Sequence, residues 1–171
     1  MEGKIYPNIT VVNEADEVVG YMDLMVAIKE GYIRRVACVL LFNDSGDILI
    51  QRRAAHVLSP NLLDYSAAGH VEEGDSYEMA ARRELEEELR VIGLPLTPVV
   101  PPFKTKDFFS AVFTAIVPDS LVIVPDEAEV AEIFWMPYHE FKTEIESAAA
   151  STRFTYSLLE AWPHLRDRLP V

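Results

Sequence analysis

The sequence predicts an α+β fold in which a mixed sheet lies between helices, as in an α/β/α sandwich. Half of the 171 residues are apolar, enough for one domain with a substantial core. Strand-like apolar runs alternate with helix-like segments, and no repeat or low-complexity tract divides the chain. Residues 1–33 are expected to form a β-hairpin and a helix, an N-terminal extension packed on a main domain of residues 34–171.

Each element follows from a local pattern. Residues 43–46, Asn-Asp-Ser-Gly, have hairpin chemistry. Residues 76–89 lack Gly and Pro, and their apolar positions Ala81, Leu85 and Leu89 recur every four residues, as on the buried face of a helix. Strands or extended segments are predicted at 9–14, 17–21, 36–42, 48–51, 62–68, 108–117, 121–124 and 130–136, helices at 23–30, 76–89, 137–146 and 153–162, and a proline-rich loop at 95–102.

The charge excludes several classes of partner. The chain has 15 basic and 28 acidic residues, a net charge of −13. This excludes long nucleic acid and anionic membranes held by basic surfaces. The longest apolar run, residues 36–42, is too short to cross a bilayer, and residues 1–7 lack the apolar core of an export signal. A single cysteine, Cys38, cannot form an internal disulfide, so we expect a cytoplasmic protein.

Several of the acidic side chains are concentrated on one predicted helix and the loop before it. Residues 72–90 hold eight acidic and three basic side chains, a net charge of −5. At about 100° per residue, Glu84, Glu87 and Glu88 share one face, while Glu86 points elsewhere. Converging carboxylate oxygens are ligands that Mg²⁺ prefers. Glutamate-rich helices are also common as solvated surfaces, so the residues upstream decide between the two interpretations.

Those residues complete a longer pattern. Gly69 is followed by Asp75 six positions later, and then by the run Arg83-Glu84-Leu85-Glu86-Glu87-Glu88-Leu89-Arg90-Val91. This resembles the Nudix box, Gly-x5-Glu-x7-Arg-Glu-U-x-Glu-Glu-x-Gly-U, in which U is a bulky aliphatic residue. Seven of its nine defining positions match, namely Gly69, Arg83, Glu84, Leu85, Glu87, Glu88 and Val91.

The resemblance implies a Nudix-type α/β/α sandwich over about residues 34–146. It implies hydrolysis of nucleoside diphosphates linked to another moiety, with Mg²⁺ as cofactor or Mn²⁺ as the alternative. The implied metal ligands are the carboxylates of Glu84, Glu87 and Glu88 and the carbonyl oxygen of Gly69. Arg83 would orient Glu84.

Two positions depart from the box. Asp75 replaces a glutamate and reaches Arg83 less easily, but it also fits a capping box with Glu78. Arg90 replaces a glycine that normally leaves the helix with positive φ. Either Arg90 adopts that conformation at a cost of about 1 kcal/mol, or the helix continues and Gly93 ends it.

Two rival functions remain. Residues 49–53 and 61–70 resemble the branch of Nudix proteins similar to isopentenyl diphosphate isomerase. The isomerase needs a cysteine where this chain has Ala68, and histidines where it has Arg34 and Arg35, while Cys38 fits a core position. The other rival is a Nudix-fold sensor that binds a nucleotide or prenyl diphosphate without cleaving it, and the intact set of glutamates argues against it.

Further candidates would bind the phosphates. Arg52 and Arg53 end a strand near the box and can pair with phosphate oxygens, but strand alternation lets only one line the site. His70 is either an outer ligand or phosphate contact or a plain loop histidine. Lys106, in the segment 103–109, is placed to meet a terminal phosphate.

The general base has two candidate sources. Glu84 can serve if it lies beside the metal, and otherwise the second acidic group supplies the base, with Glu129 or Glu127 favoured. That group consists of Asp126, Glu127, Glu129 and Glu132. The expected partner is a small nucleoside diphosphate-type substrate, and the sequence leaves a monomer or a homodimer open.

Overall fold

The computed structural model describes residues 7–170, so most of the segment in which we looked for an export signal lies outside it. The described residues form ten strands, four α-helices and a 3₁₀ turn. The strands are β1 (Ile9–Val12), β2 (Val18–Met22), β3 (Ile33–Asn43), β4 (Ile48–Arg53), β5 (Leu63–Asp64), β6 (Ala67–His70), β7 (Thr97–Pro98), β8 (Phe103–Lys104), β9 (Phe108–Val117) and β10 (Val130–Met136). The helices are α1 (Leu24–Glu30), α2 (Tyr77–Leu89), α3 (Tyr138–Ile145) and α4 (Tyr156–Leu165), with the 3₁₀ turn at Ala150–Thr152.

Strand β3 is the centre of the sheet. It pairs in parallel with β9 along its length and antiparallel with β1, β4 and β6. The sheet order is β10-β4-β3-β1-β2, with the other strands branching from it. Residues 36–42 are buried throughout, because both faces of β3 are covered.

Each face of β3 belongs to a different core. Val36 and Leu40 pack with α3 and α4 through residues such as Phe141. Val39 and Leu41 face α2 and pack with its apolar stripe, Ala81, Leu85 and Leu89. Two helical layers therefore enclose a mixed sheet, which confirms the predicted α+β sandwich.

Helix α2 ends where predicted, but its N-cap is a different residue from the expected one. Ser76, not Asp75, is the N-cap, and its Oγ accepts a hydrogen bond from the Met79 amide at 3.2 Å. The helix ends at Leu89, because Arg90 adopts a left-handed conformation with φ 57°. The strained alternative for Arg90 is thus the observed one, and Gly93 lies in the loop beyond.

The predicted strand at 121–124 is wrong. These residues form no ladder, because backbone amides of this segment and of the next residues bond to the end of α2 instead. The Val124 amide donates to the Leu89 carbonyl at 3.0 Å, and the Asp126 amide donates to the Glu88 carbonyl at 2.8 Å. These bonds satisfy carbonyl groups that a helix end leaves open.

Smaller differences concern element bounds. The extended segment 62–68 divides into β5 and β6, and between them the Ser66 hydroxyl bonds both to the Leu41 amide and to the Leu49 carbonyl. Helix α4 begins three residues later than predicted, with Thr155 as N-cap. The proline-rich loop contains β7 and β8, which both pair with β9.

The N-terminal hairpin joins the same sheet. β1 pairs with both β2 and β3, and the Thr10 amide donates to the Val71 carbonyl at 2.8 Å. Asp23 caps α1, and Gly31 ends it at φ 73°. Within residues 7–170, no helix has the length and apolar character needed to cross a membrane.

Candidate active site

The strand β6 and the helix α2 meet at Gly69. The carboxylate of Glu84 lies against the Gly69 backbone so closely that a Cβ at this position would overlap it. Only glycine allows this approach without displacing the glutamate. The glycine that begins the box and Glu84 are therefore in direct contact.

Arg83 links the parts of the box. Its guanidinium is surrounded by oxygen atoms, namely Glu84 Oε1 at 2.7 Å, the His70 carbonyl at 2.9 Å, Glu72 Oε1 at 3.2 Å, Asp75 Oδ2 at 3.3 Å and Glu87 Oε2 at 3.5 Å. Asp75 does reach Arg83, although its side chain is shorter than the usual glutamate. Burial opposes the charge of Arg83, but the carboxylates of Glu84 and Glu72 outweigh it and raise the pKa of Arg83.

Glu84 and Glu88 are buried acids, 7% and 3% exposed. Burial raises the pKa of Glu84 to about 7, against the opposing charge of Arg83. Burial also holds the pKa of Glu88 well above its ordinary value, and the charge of Glu84 adds to the effect. Glu88 Oε2 accepts hydrogen bonds from Gln51 Nε2 at 2.9 Å and from the Ala68 amide at 3.2 Å.

This cluster has fewer cations than its carboxylates require. Within residues 7–170, no ion pair joins Glu88 to a basic side chain, whereas Glu84 has Arg83. Buried carboxylates in such surroundings favour protonation or a bound cation. Among the described residues, no three acidic, histidine or cysteine side chains form a ready metal cage, and the guanidinium of Arg83 bridges Glu84 to Glu87.

Glu87 and Glu86 occupy the solvent side of this region. Glu87 shares a helical arc with Glu84 and Glu88, but its side chain is 58% exposed and pairs with Arg83 at 3.5 Å. Glu86 is exposed too, as its position on the helix predicts. Two of the three predicted carboxylate ligands are thus buried together, and the third stands at their edge.

Glu129, from the second acidic group, acts on this cluster by its charge. Its negative charge acts on Glu84, and its carbonyl accepts a hydrogen bond from the Ala54 amide at the end of β4. In the same acidic group, Glu127 is exposed and Glu132 pairs with Arg52 at 3.1 Å. Glu129 is therefore the member of that group that acts on the buried glutamate.

Arg52 and Arg53 separate as strand alternation predicts. Arg52 bonds to Glu132 and to the Asn61 carbonyl. Arg53 lies on the side of the buried cluster, where its charge acts on Glu88. Its guanidinium is fixed by the Leu58 carbonyl at 2.7 Å and by Asp64 Oδ2 at 3.2 Å.

His70 is a strand residue, and Lys106 lies apart from the box. The His70 ring faces Phe108 edge-on, with centroids 6.3 Å apart. Burial lowers the pKa of His70 to about 3, and the positive charges of three arginines act in the same direction. Those arginines are Arg34, Arg53 and Arg83. Lys106 is exposed, and its backbone amide donates to Glu160 of α4 at 3.0 Å.

Two residues near the site were not selected from the sequence. Gln51 holds Glu88, and its own Oε1 is buried without a hydrogen-bond partner among the described residues. Asp64 holds Arg53 and accepts a 2.7 Å hydrogen bond from Thr155 Oγ1. Burial raises the pKa of Asp64 despite these partners. The sequence offered one signal for both residues, because each is a polar residue within a segment predicted to be a strand or extended.

The sandwich, in which the strand that contains Gly69 precedes an acidic helix, defines a Nudix-type fold. The model of the NUDIX domain matches residues 31–156, so the chain belongs to the Nudix family. A Nudix hydrolase of Deinococcus radiodurans is 40% identical over 92 residues, 53% of this chain and 54% of that protein. An uncharacterized Nudix hydrolase of Streptomyces coelicolor is 30% identical over 161 residues, 92% of this chain and 87% of that protein.

Solved structures share the fold. The crystal structure of DR0079 from Deinococcus radiodurans has a TM-score of 0.77 at 28% identity, covering 92% of this chain and 98% of that one. The NUDIX domain of Shewanella oneidensis NrtR, complexed with ADP ribose, has a TM-score of 0.54 at 17% identity, covering 71% and 88%. The chain spans only about half the length of several curated relatives it matches, 50% for one from Pseudomonas aeruginosa.

Cys38 does not supply the thiol that the isomerase needs. It lies directly across from Ala68 in the β3–β6 ladder, but it is buried in the core. Burial raises the pKa of the Cys38 thiol well above its ordinary value. A thiol in this environment stays protonated and unreactive.

Proposed function

We propose that this protein is a Mg²⁺-dependent pyrophosphohydrolase. Its substrates would be nucleoside di- or triphosphates or nucleotide-linked diphosphates, a class to which the ADP ribose of the Shewanella oneidensis NUDIX domain belongs. The main supporting observation is the pair of buried carboxylates, Glu84 and Glu88, gathered beside Gly69 with a single arginine paired to Glu84.

The donor set fits a hard divalent cation. Membership of the Nudix family implies such a cation, and oxygen donors suit Mg²⁺, with Mn²⁺ as the alternative. Glu84, Glu87, Glu88 and the carbonyl of Gly69 would hold it. When bound, the ion would offset negative charge on the phosphates and acidify a water molecule.

The chain's own residues prepare this site. Arg83 fixes the carboxylate of Glu84 through its 2.7 Å contact, and Gln51 and the Ala68 amide fix that of Glu88. Such fixed charges need little reorganisation during the reaction. The box would therefore supply the ligands, while Arg83 of the box, Gln51 of β4 and the Ala68 amide of β6 would orient them.

Two further side chains would act on the substrate. Arg53, held in place by Asp64, would bind phosphate oxygens through its remaining donors. The Glu129 carboxylate, which acts on Glu84 by its charge, would accept the proton of the attacking water. Water would then attack phosphorus and break a P–O–P bridge. We also propose a cytoplasmic location, supported by the one free, buried thiol of Cys38.

A substrate panel tests this function. Purified protein is incubated with nucleoside diphosphates, triphosphates, ADP-ribose and nucleotide sugars, in Mg²⁺, in Mn²⁺ and in EDTA. We expect metal-dependent release of a nucleotide product, with phosphate or pyrophosphate from the simple nucleotides. No cleavage of any compound with either metal would contradict the proposal and favour the sensor, and allylic product from isopentenyl diphosphate would favour the isomerase.

A further inference from the structure

Arg34 is a buried basic residue with an unsatisfied hydrogen-bond donor among the described residues. It is the second residue of β3, and it is only 7% exposed. Its Nε is buried and has no hydrogen-bond partner among residues 7–170. Asp107 influences the guanidinium by charge, but no ion pair joins the two. A buried, unpaired charge is strongly unfavourable, so its presence needs an explanation.

An aromatic ring and a second unsatisfied nitrogen atom lie beside Arg34. Its Cζ lies 4.7 Å from the centre of the Phe108 ring, its partner in the β3–β9 ladder. The His70 ring approaches the same phenyl ring edge-on, and His70 Nε2 is also buried without a partner among the described residues. Two unsatisfied nitrogen atoms therefore flank one aromatic ring.

The charges of three arginines act on the region around His70. The charges of Arg53 and Arg83 act on His70 together with that of Arg34. The His70 carbonyl also accepts a hydrogen bond from Arg83, so β6 connects this region directly to the box carboxylates. A guanidinium that is free to donate in such a field is complementary to a phosphate group.

We propose that Arg34, His70 and Phe108 form a second anion site, which binds a phosphate of the substrate away from the bond that is cleaved. Arg34 donates to the phosphate oxygens, Phe108 fixes the plane of the guanidinium, and His70 offers Nε2. The identity of the natural occupant rests on the proposed function. The existence of an anion site does not.

The first test measures binding without metal or turnover. Pyrophosphate is titrated calorimetrically in EDTA into the wild type, Arg34→Met and Arg82→Gln, the last removing an exposed arginine on the outer side of α2. We expect Arg34→Met to bind at least about tenfold more weakly, and Arg82→Gln to bind as the wild type does. Pyrophosphate affinity within about twofold of wild type in Arg34→Met, or no binding to the wild type, would overturn the proposal.

Thermal melting without ligand separates binding from folding. Arg34→Met keeps the packing against Phe108 and removes an unpaired charge, so its melting temperature should equal or exceed that of the wild type. If the methionine variant does not fold, Arg34→Lys carries the test. Lysine keeps the charge but loses the planar fork, and wild-type affinity in that variant would overturn the proposal.

Kinetics distinguish this inference from the proposed function. With a hydrolysed nucleotide, Arg34→Met should raise KM and leave kcat within about twofold, because the anion lies away from the reacting bond. Arg34-dependent pyrophosphate binding without hydrolysis of any nucleotide would uphold the anion site and contradict the proposed function. Nucleotide hydrolysis together with pyrophosphate binding that does not depend on Arg34 would uphold the proposed function and contradict the anion site. An unchanged KM alongside weakened pyrophosphate binding would overturn the assignment to substrate and indicate free phosphate.

Discussion

The two sides of helix α2 contain the same residue type in opposite environments. On the inner side, Glu84 and Glu88 are buried beside β6 and share little positive charge. On the outer side, Glu78 pairs with Arg82 at 2.7 Å in solvent. Charge on the inner side costs stability unless a cation joins it, whereas charge on the outer side is solvated. Glutamate is therefore a proposed ligand on the inner side of the helix and a solvated surface residue on the outer side.

The net charge of −13 is distributed unevenly along the chain. The loop and helix over residues 72–90 carry −5 of it, and only part of that charge faces the site. Under the proposed function, a divalent cation held by the inner carboxylates, together with arginines, would lie between these acids and the phosphates of the substrate. The acidic composition thus excludes long nucleic acid but permits a small phosphate ligand.

The largest expected effect is on turnover. Glu88→Gln should lower the Mg²⁺-dependent kcat at least about 100-fold, about 2.7 kcal/mol, because it removes a proposed ligand. Its melting temperature should stay equal or rise, because a buried charge is removed. Glu86→Gln, on the exposed side of the same helix, is the matched control. Full activity in Glu88→Gln would show that the inner side is not the metal site.

The second effect is on stability as the pH changes. In its ordinary state the Glu84 carboxyl has a pKa of 4.5, and in the folded protein it rises to about 7. The folded state therefore binds this proton more tightly than the unfolded state does. In EDTA, the stabilisation from this group is full below about pH 4.5 and is lost as the pH rises to about 7, a change on the order of 3 kcal/mol.

Denaturant unfolding at pH 5 and pH 8 in EDTA measures this loss. Glu84→Gln should be less sensitive to pH than the wild type, since it lacks the titrating carboxyl. Mg²⁺ at pH 8 should restore stability to the wild type and less to Glu84→Gln. Equal pH dependence in the two proteins would contradict the account of the inner side.

A third effect tests the contact that holds the inner side together. Gly69→Ala places a Cβ on the Glu84 carboxylate, so we expect a loss of about 1–3 kcal/mol of stability and a loss of activity. Gly20→Ala is the control, because its Cβ would meet only Val11 at 3.8 Å. Urea unfolding of both variants decides, and an unchanged Gly69→Ala would disprove the close approach.

The sequence predicted those parts of the fold that depend on local pattern. The strand at 108–117 and the bounds of α2 follow from an apolar run and from helix composition, and both are observed. The strand predicted at 121–124 is absent because the amides of Val124 and Asp126 donate to carbonyl groups at the distant end of α2. Helical periodicity also placed Glu87 with Glu84, but only the position of the sheet decides which of them is covered.

The site was partly predictable for the same reason. Motif spacing identified the residues around Gly69, and strand alternation separated Arg52 from Arg53. Neither of these sequence patterns could show that Asp64 supports Arg53, or that Gln51 holds Glu88, since both contacts depend on tertiary packing. The unpaired state of Arg34 is likewise a property of tertiary packing, which determines where its possible acceptors lie.

The smallest effect concerns the outer side of α2. Arg82→Gln breaks the exposed pair with Glu78 and its hydrogen bond to the Leu94 carbonyl. Because solvent replaces such contacts, we expect less than about 1 kcal/mol of destabilisation and unchanged kcat and KM. Denaturant unfolding and steady-state kinetics measure both. A loss of activity comparable to that of Glu88→Gln would mean that the outer side also takes part in the reaction, and the contrast between the two sides of α2 would then be wrong.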